Sequence, residues 1–133
     1  MDDSDAASRS SESSGHAPVL ADAVVAGLDP QPGQTVVDAT IGRGGHARMI
    51  LPHLGPGGCL IGLDLDPANA AFARERLQAH PAAREVRINV QHADFADLRG
   101  YLDRLGMDRV DGLLADLGFA SNQMDDPERG LSF

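Results

Sequence analysis

The feature that most constrains this chain is the alternation of short β-branched runs with helical stretches that begins at residue 16. The pattern predicts strands over residues 35–39, 59–64, 86–92 and 110–116, and helices over residues 21–28, 45–54, 67–80 and 95–105. Alternation of this kind is typical of a parallel sheet with right-handed crossovers and helices on both faces. We therefore predict an α/β fold of about four parallel strands, with ligands bound at the carboxyl ends of the strands.

The amino terminus has a different composition from the rest of the chain. Residues 1–15 contain six Ser, four acidic residues and no large apolar residue beyond Met1. Such a segment buries too little apolar surface to offset its ordering entropy. We expect residues 1–15 to form a disordered acidic, Ser-rich tail and residues 16–133 to form a single folded unit.

Composition excludes several classes of protein. The 133 residues carry 11 Arg and no Lys against 20 acidic residues, for a net charge of −9, and include one Cys. One cysteine forms no internal disulfide, and no apolar run approaches the roughly 18 residues of a membrane span. We expect a soluble cytoplasmic protein with no membrane partner. Its scattered arginines predict no strong grip on RNA or DNA by this chain alone.

A glycine-rich loop joins the first predicted strand to its helix, as Asp-Ala-Thr-Ile-Gly-Arg-Gly-Gly-His at residues 38–46. Glycine lets the backbone approach a ligand closely, although an ordinary tight turn has the same composition. Residues 42–47 also satisfy the dinucleotide pattern G-x-G-x-x-G/A. Asp38 argues against a nicotinamide or flavin enzyme, because an acid at that strand end repels a pyrophosphate. The cationic S-adenosylmethionine suits this acid better.

Three further residues end or follow predicted strands and have two interpretations each. Asp64, at the end of the second strand, is placed to accept the hydroxyls of a ribose or to cap the next helix. Phe95, after the third strand, is placed to stack on an adenine or to begin the core face of its helix. Asp116, at the end of the fourth strand, is placed to orient an exocyclic amine or to contact the cofactor.

Five motifs in order resemble the bacterial 16S rRNA (cytidine-N4)-methyltransferases, the RsmH/MraW family. They are His-Ala-Pro-Val-Leu at residues 16–20, the glycine loop at 38–46, Asp-Leu-Asp-Pro at 64–67, and the segments 110–118 and 123–133. The resemblance implies a Rossmann-like class I fold that binds S-adenosylmethionine and methylates one cytidine of 16S rRNA in the small ribosomal subunit. It implies cofactor contacts by Gly44, Gly45, His46, Asp64, Phe95, Asp116 and Gln123, with Asp116 also the candidate catalytic residue.

The resemblance also implies how much of the family's fold this sequence supplies. Its fold has seven strands, whereas this sequence supplies about four and stops within the last motif, so we expect an incomplete, amino-terminal part of the methyltransferase domain. An incomplete sheet leaves a strand edge open, which predicts self-association. The alternative function is a non-catalytic remnant that binds S-adenosylmethionine or another adenosine compound. The family departs from this chain at Ala120 and Asn122, where it usually has Ser and Pro.

Overall fold

The computed structural model describes residues 17–116; the predicted tail and the motif at residues 123–133 lie outside the described residues. Helices and strands alternate within that range, as the sequence pattern predicts. Their order is α1 (Ala17–Leu28), β1 (Thr35–Asp38), α2 (Gly45–Ile50), β2 (Gly58–Asp64), α3 (Pro67–Gln78), β3 (Val86–His92), α4 (Leu98–Arg104) and β4 (Gly112–Leu114).

The described strands form one parallel sheet in the order β3-β2-β1-β4. The chain moves outward from β1 to β2 and β3, then returns to place β4 on the other side of β1. The carboxyl ends of β1 and β4 therefore flank the point where the direction of winding reverses, which is where open α/β sheets bind ligands. The predicted α/β fold class, with a parallel sheet of four strands, is confirmed for the described residues.

Helices cover both faces of the sheet, and β1 and β2 are therefore buried on both sides. Val36 and Leu60 point into a core shared with α2 and α3, and Val37 and Ile61 point into a second core shared with α4. Full burial of an aliphatic side chain contributes roughly 1.5–3 kcal/mol. These two cores fix the sheet and hold its carboxyl edge in place.

Several predicted boundaries are wrong for identifiable reasons. The helix predicted over residues 45–54 ends at Ile50 and continues as a 3₁₀ turn, Leu51–His53, because Pro52 has no N–H to donate. The helix predicted over 95–105 likewise opens with a 3₁₀ turn, Phe95–Asp97. The last strand is three residues long instead of seven, since β4 pairs only with Val36–Asp38 of β1 among the described residues.

Two other predicted elements match the structure well. β3 spans Val86–His92, and its alternate residues Val86, Ile88 and Val90 pack on the face that carries α3. α3 begins at Pro67, as predicted, and ends two residues short of the expected position. Within the described part of the chain, no helix is long and apolar enough to cross a membrane.

Candidate functional site

Three acidic residues lie at the carboxyl ends of neighbouring strands, around the glycine loop. Asp38 ends β1, Asp64 ends β2, and Asp116 follows β4. The charges of Asp116 and Asp64 both act on Asp38. This edge of the sheet is therefore a region of concentrated negative charge, which favours a cationic ligand and disfavours a phosphate.

Asp38 is the most unusual of the three acids, because its side chain is only 2% exposed. Its Oδ1 accepts one long hydrogen bond, 3.3 Å, from the Thr40 backbone N–H. Burial raises the pKa of Asp38 to about 7, and the nearby charges of Asp116 and Asp64 act in the same direction, while the Thr40 hydrogen bond opposes them. A positive ligand over this edge would favour the ionised carboxylate.

Asp64 braces the glycine loop. Its Oδ2 accepts a hydrogen bond of 2.8 Å from the backbone N–H of Gly42, and its Oδ1 accepts one of 2.8 Å from the N–H of Asp66. The helix-cap interpretation of Asp64 is wrong, because Asp66 caps α3 by accepting from the N–H of Ala68. Asn69 Nδ2 also donates to Oδ1 of Asp64, at 3.5 Å. A carboxylate offers about four acceptor positions, so Asp64 retains one for a ribose hydroxyl.

The loop itself depends on glycine at one position in particular. Gly44 has φ +88°, and a Cβ there would lie 3.4 Å from the Cβ of Ala73 on α3. A Cβ on Gly45, the first residue of α2, would meet nothing within 4 Å. Gly44 thus serves the turn and its packing on α3, and Gly45 borders open space that a ligand could occupy.

A side chain that the sequence did not single out joins β1 to the end of β4. Thr40 accepts at Oγ1 a hydrogen bond of 2.6 Å from the backbone N–H of Asp116. The N–H of Ala39 donates to the carbonyl of Leu114 at 2.8 Å. Together these bonds fix the backbone that carries the exposed Asp116 carboxylate. A hydroxyl two residues beyond the strand-ending Asp38 was the sequence signal for this role.

An open cleft of about 420 Å³ lies beside Asp116. The cleft is lined by Ala23, Val24, His46, Leu114, Ala115 and Asp116. His46 is half-buried on the first turn of α2, so the structure brings together two predicted site residues that are 70 positions apart in the sequence. Asp116 belongs both to this cleft and to the acidic edge.

Phe95 combines features of both of its interpretations. The ring is half-buried and packs against the core formed by α4 with β1 and β2, as the core interpretation requires. Asp94 is used as a cap, since its Oδ1 accepts a hydrogen bond of 2.9 Å from the N–H of Ala96. Phe95 is partly exposed and lies three residues beyond the end of β3.

The chemistry of this edge fits an S-adenosyl cofactor. The acids suit its positive charge, the loop beside Gly45 leaves space for a ligand, and Asp64 has acceptor capacity left for a ribose. Among residues 17–116, no three His, Cys, Asp or Glu side chains are close enough together to hold one metal ion. Gln123, the remaining predicted contact, lies outside the described residues.

Fold and site together define a Rossmann-like class I methyltransferase sheet, and solved structures agree on the fold. A SAM-dependent O-methyltransferase from Thermotoga maritima superposes with a TM-score of 0.60 at 21% identity, covering 81% of this chain and 38% of that one. A SAM-dependent methyltransferase from Thiobacillus denitrificans, in complex with S-adenosyl-L-homocysteine, superposes with a TM-score of 0.54 at 22% identity, covering 77% and 38%.

Sequence comparison identifies the family within this class. Residues 13–133 match the MraW methylase family, and the chain belongs to it. Curated relatives are called ribosomal RNA small subunit methyltransferase H. The relative from Thiobacillus denitrificans is 48% identical over 118 residues and the one from Halorhodospira halophila 50% over 119, each match covering 89% of this chain. The chain spans about a third of their length, 36% and 35% respectively.

Proposed function

We propose that this chain forms the cofactor-binding part of an S-adenosylmethionine-dependent methyltransferase that acts on 16S rRNA of the small ribosomal subunit in the cytoplasm. The observation that carries the proposal is the convergence of Asp38, Asp64 and Asp116 on the glycine loop, with Asp38 buried. This arrangement attracts a ligand with positive charge and repels a dinucleotide pyrophosphate. Membership of the MraW family supports the same choice.

The residues proposed to hold the cofactor come from separate elements. Asp64 accepts from the ribose while bracing the loop through Gly42, and Phe95 stacks on the adenine. Asp38 acts through its charge, because its side chain is too buried for broad contact. The remaining proposed contacts are Gly44, Gly45, His46, Asp116 and Gln123.

Asp116 is the proposed catalytic residue. When bound, S-adenosylmethionine supplies an electrophilic methyl group on a cationic sulfonium. The amino nitrogen of a cytidine is a weak nucleophile, since its lone pair is delocalised into the ring. A carboxylate oxygen of Asp116 would accept a hydrogen bond from that amino group, orient it and stabilise its developing positive charge. The bond from the Asp116 N–H to Thr40 Oγ1 keeps the backbone in place for this role.

The proposal is tested first by binding. Isothermal titration of the 133-residue chain should give saturable heat with S-adenosylmethionine and with S-adenosylhomocysteine, and none with NAD. Binding of NAD in preference to both would overturn the proposal, because the acidic edge should exclude its pyrophosphate. The Asp64→Ala variant serves as the site control and should bind S-adenosylmethionine more weakly.

Activity is tested separately. The chain is incubated with labelled S-adenosylmethionine and small subunits from a strain that lacks the modification, and the digested rRNA is analysed for N4-methylcytidine. Label at a single cytidine, lost in Asp116→Asn, supports catalysis by this chain itself. Cofactor binding without transfer supports the role of a binding part that requires further structure for rRNA recognition.

The outer edge of β4 supports a further part of the proposal, self-association. Among the described residues β4 pairs only with β1, and its residues are half-buried. An unpaired parallel edge attracts another strand. Sedimentation velocity over a range of concentrations should show association, and a monomer throughout that range would exclude it.

A further inference from the structure

Three arginines, from the glycine loop, α2 and α3, lie within range of one another's charge. The Nη1 of Arg76, on α3, donates a hydrogen bond of 3.2 Å to the backbone carbonyl of Arg43. Burial lowers the pKa of Arg76, and the positive charges of Arg48 on α2 and Arg43 lower it further. The expectation that the arginines are merely scattered is thus wrong in space, although correct along the chain.

This cluster lacks compensating charge in the part of the chain that the structure describes. No carboxylate there forms an ion pair with Arg43, Arg48 or Arg76, even though acidic residues outnumber basic ones almost two to one. By contrast, Arg74 turns away and donates to the carbonyl of Val90 at 2.6 Å. Three like charges held together without a counterion create a local demand for an anion.

An exposed aromatic ring completes the cluster. The Arg43 guanidinium carbon lies 3.9 Å from the centroid of the Phe72 ring, and Phe72 is 39% exposed. Phe72 and Arg76 are four residues apart on α3 and therefore share a helix face. A guanidinium over an aromatic ring interacts with the ring face and can still present N–H groups to phosphate oxygens.

We propose that Arg43, Arg48 and Arg76, with Phe72, form a binding surface for the phosphate backbone of single-stranded RNA. This inference rests on the proposed function and deepens it, because Arg43 lies in the glycine loop between two of its glycines and so places the RNA next to the cofactor. Arginine forks match phosphate geometry, and the exposed part of the Phe72 ring that Arg43 leaves uncovered can contact an unpaired base. Both features favour single-stranded RNA over an acidic peptide.

The test compares two triple variants with the same change of charge. R43Q/R48Q/R76Q removes the cluster, and R84Q/R87Q/R109Q removes three exposed arginines elsewhere. Binding of a short fluorescein-labelled single-stranded RNA is measured by anisotropy at several low salt concentrations, with duplex DNA in parallel. We expect the cluster variant to lose at least tenfold in affinity and the control less than twofold.

The salt dependence adds a second readout. Each phosphate contact on a single strand contributes roughly 0.7 to the slope of log K against log salt, so three contacts contribute about 2. The cluster variant should lose most of that slope, and R43K/R48K/R76K should keep most of it while losing affinity through the weaker ring stacking. Equal losses in the cluster and control variants, or no RNA binding by the parent chain, would overturn the proposal. Tighter binding to duplex DNA would do the same.

Failure of this surface is distinguishable from failure of the proposed function. All variants are also titrated with S-adenosylmethionine, and their circular dichroism is recorded. Normal cofactor binding with no dependence of RNA affinity on the cluster refutes the surface alone. Absence of cofactor binding in the parent chain refutes the cofactor role, whatever the RNA measurements give.

Discussion

The acidic residues at the two ends of the sheet differ in how well their carboxylates are hydrogen-bonded. At the amino end, Asp111 precedes β4 and is fully engaged with Thr35 of β1. Its Oδ2 accepts the Thr35 N–H at 2.8 Å, and its own N–H donates to the Thr35 carbonyl at 2.8 Å. At the carboxyl end, the buried Asp38 accepts one bond of 3.3 Å and lies near two further acids.

Each end of the sheet also has a depression in the surface. Because the two depressions are similar in size, the two ends can be compared by their charge. The cavity near the amino end, about 380 Å³, is lined by the end of α1 and two prolines after it, and its one acid, Asp29, accepts a side-chain bond from Gln31 at 3.0 Å. The carboxyl-end cleft is similar in size, 420 Å³, but adjoins the three clustered acids. Cavity size does not separate the two ends, whereas the concentration of acidic residues does.

This difference identifies the end of the sheet at which an acidic residue lowers the stability of the folded state. An acid that is paired and solvated, as Asp111 is, strengthens the junction between β1 and β4. A buried acid with a raised pKa weakens the folded state at neutral pH. Asp38 is therefore explained by a ligand and poorly explained by folding.

The largest effect should come from Asp38→Asn. The folded pKa of about 7 lies above the ordinary 3.8, so the folded state binds more protons and stability falls as the pH rises between these values. Above pH 7 the full cost, on the order of 4 kcal/mol, applies, and below about pH 4 it vanishes. Denaturant unfolding should show Asp38→Asn more stable than the parent at pH 8 and equal at pH 4.

The matched change at the other end is Asp111→Asn. Its carbonyl oxygen can still accept from Thr35, so removal of the charge should destabilise by at most about 1 kcal/mol. The two variants should thus move the free energy of unfolding in opposite directions at pH 8. Destabilisation by Asp38→Asn at every pH would mean that Asp38 is an ordinary satisfied core residue.

The next effect is on cofactor affinity, through Asp64→Ala. Loss of a charge-assisted ribose contact and of the brace on Gly42 should weaken S-adenosylmethionine binding by roughly 1–3 kcal/mol, or about fivefold to 150-fold. Asp66→Ala, two residues on, removes the cap of α3 and should cost about 1 kcal/mol of stability instead. Calorimetry and urea unfolding separate the two, and equal affinity losses in both variants would remove Asp64 from the site.

A smaller effect distinguishes two adjacent glycines. Gly44→Ala forces a Cβ into a left-handed backbone against Ala73, and should destabilise by about 1–2 kcal/mol. Gly45→Ala begins a helix in open space, and should leave stability unchanged or slightly raised while reducing cofactor affinity. Thermal unfolding with parallel ligand titration tests the pair; normal affinity in Gly45→Ala would show that no ligand occupies that space.

The smallest effect concerns the link between β1 and Asp116. Thr40→Val removes the acceptor for the Asp116 N–H and should cost about 1 kcal/mol, whereas Thr40→Ser keeps the hydroxyl and most of the stability. Chemical denaturation of the parent chain, Thr40→Val and Thr40→Ser measures these differences in stability. Identical stabilities would indicate that this hydrogen bond adds nothing to the junction.

The elements whose bounds depend on local sequence periodicity could be predicted from the sequence. β3 and the start of α3 follow from alternating β-branched residues and from proline at a first helical turn, so both were predicted correctly. The short β4 was not, because the length of a parallel strand depends on its partner β1, which is only four residues long. Local patterns hold no information about such a partner.

The site was predictable only in part, for a similar reason. Asp38 and Asp64 could be placed at strand ends, yet nothing local to Asp64 indicates that its carboxylate accepts the N–H of Gly42, 22 residues away. The arginine cluster was missed because Arg43 and Arg76 are brought together by the packing of α3 on the loop. Contacts between elements require the tertiary arrangement.

The most direct test of the contrast between the two sheet ends is the pH dependence of cofactor binding in the parent chain and in Asp38→Asn. We predict that the parent binds S-adenosylmethionine up to about tenfold more weakly at pH 6 than at pH 8 because of protonation at Asp38, whose pKa is about 7. Asp38→Asn should bind weakly and lack this component. Identical pH profiles in the two proteins would contradict the proposed role of the acidic edge.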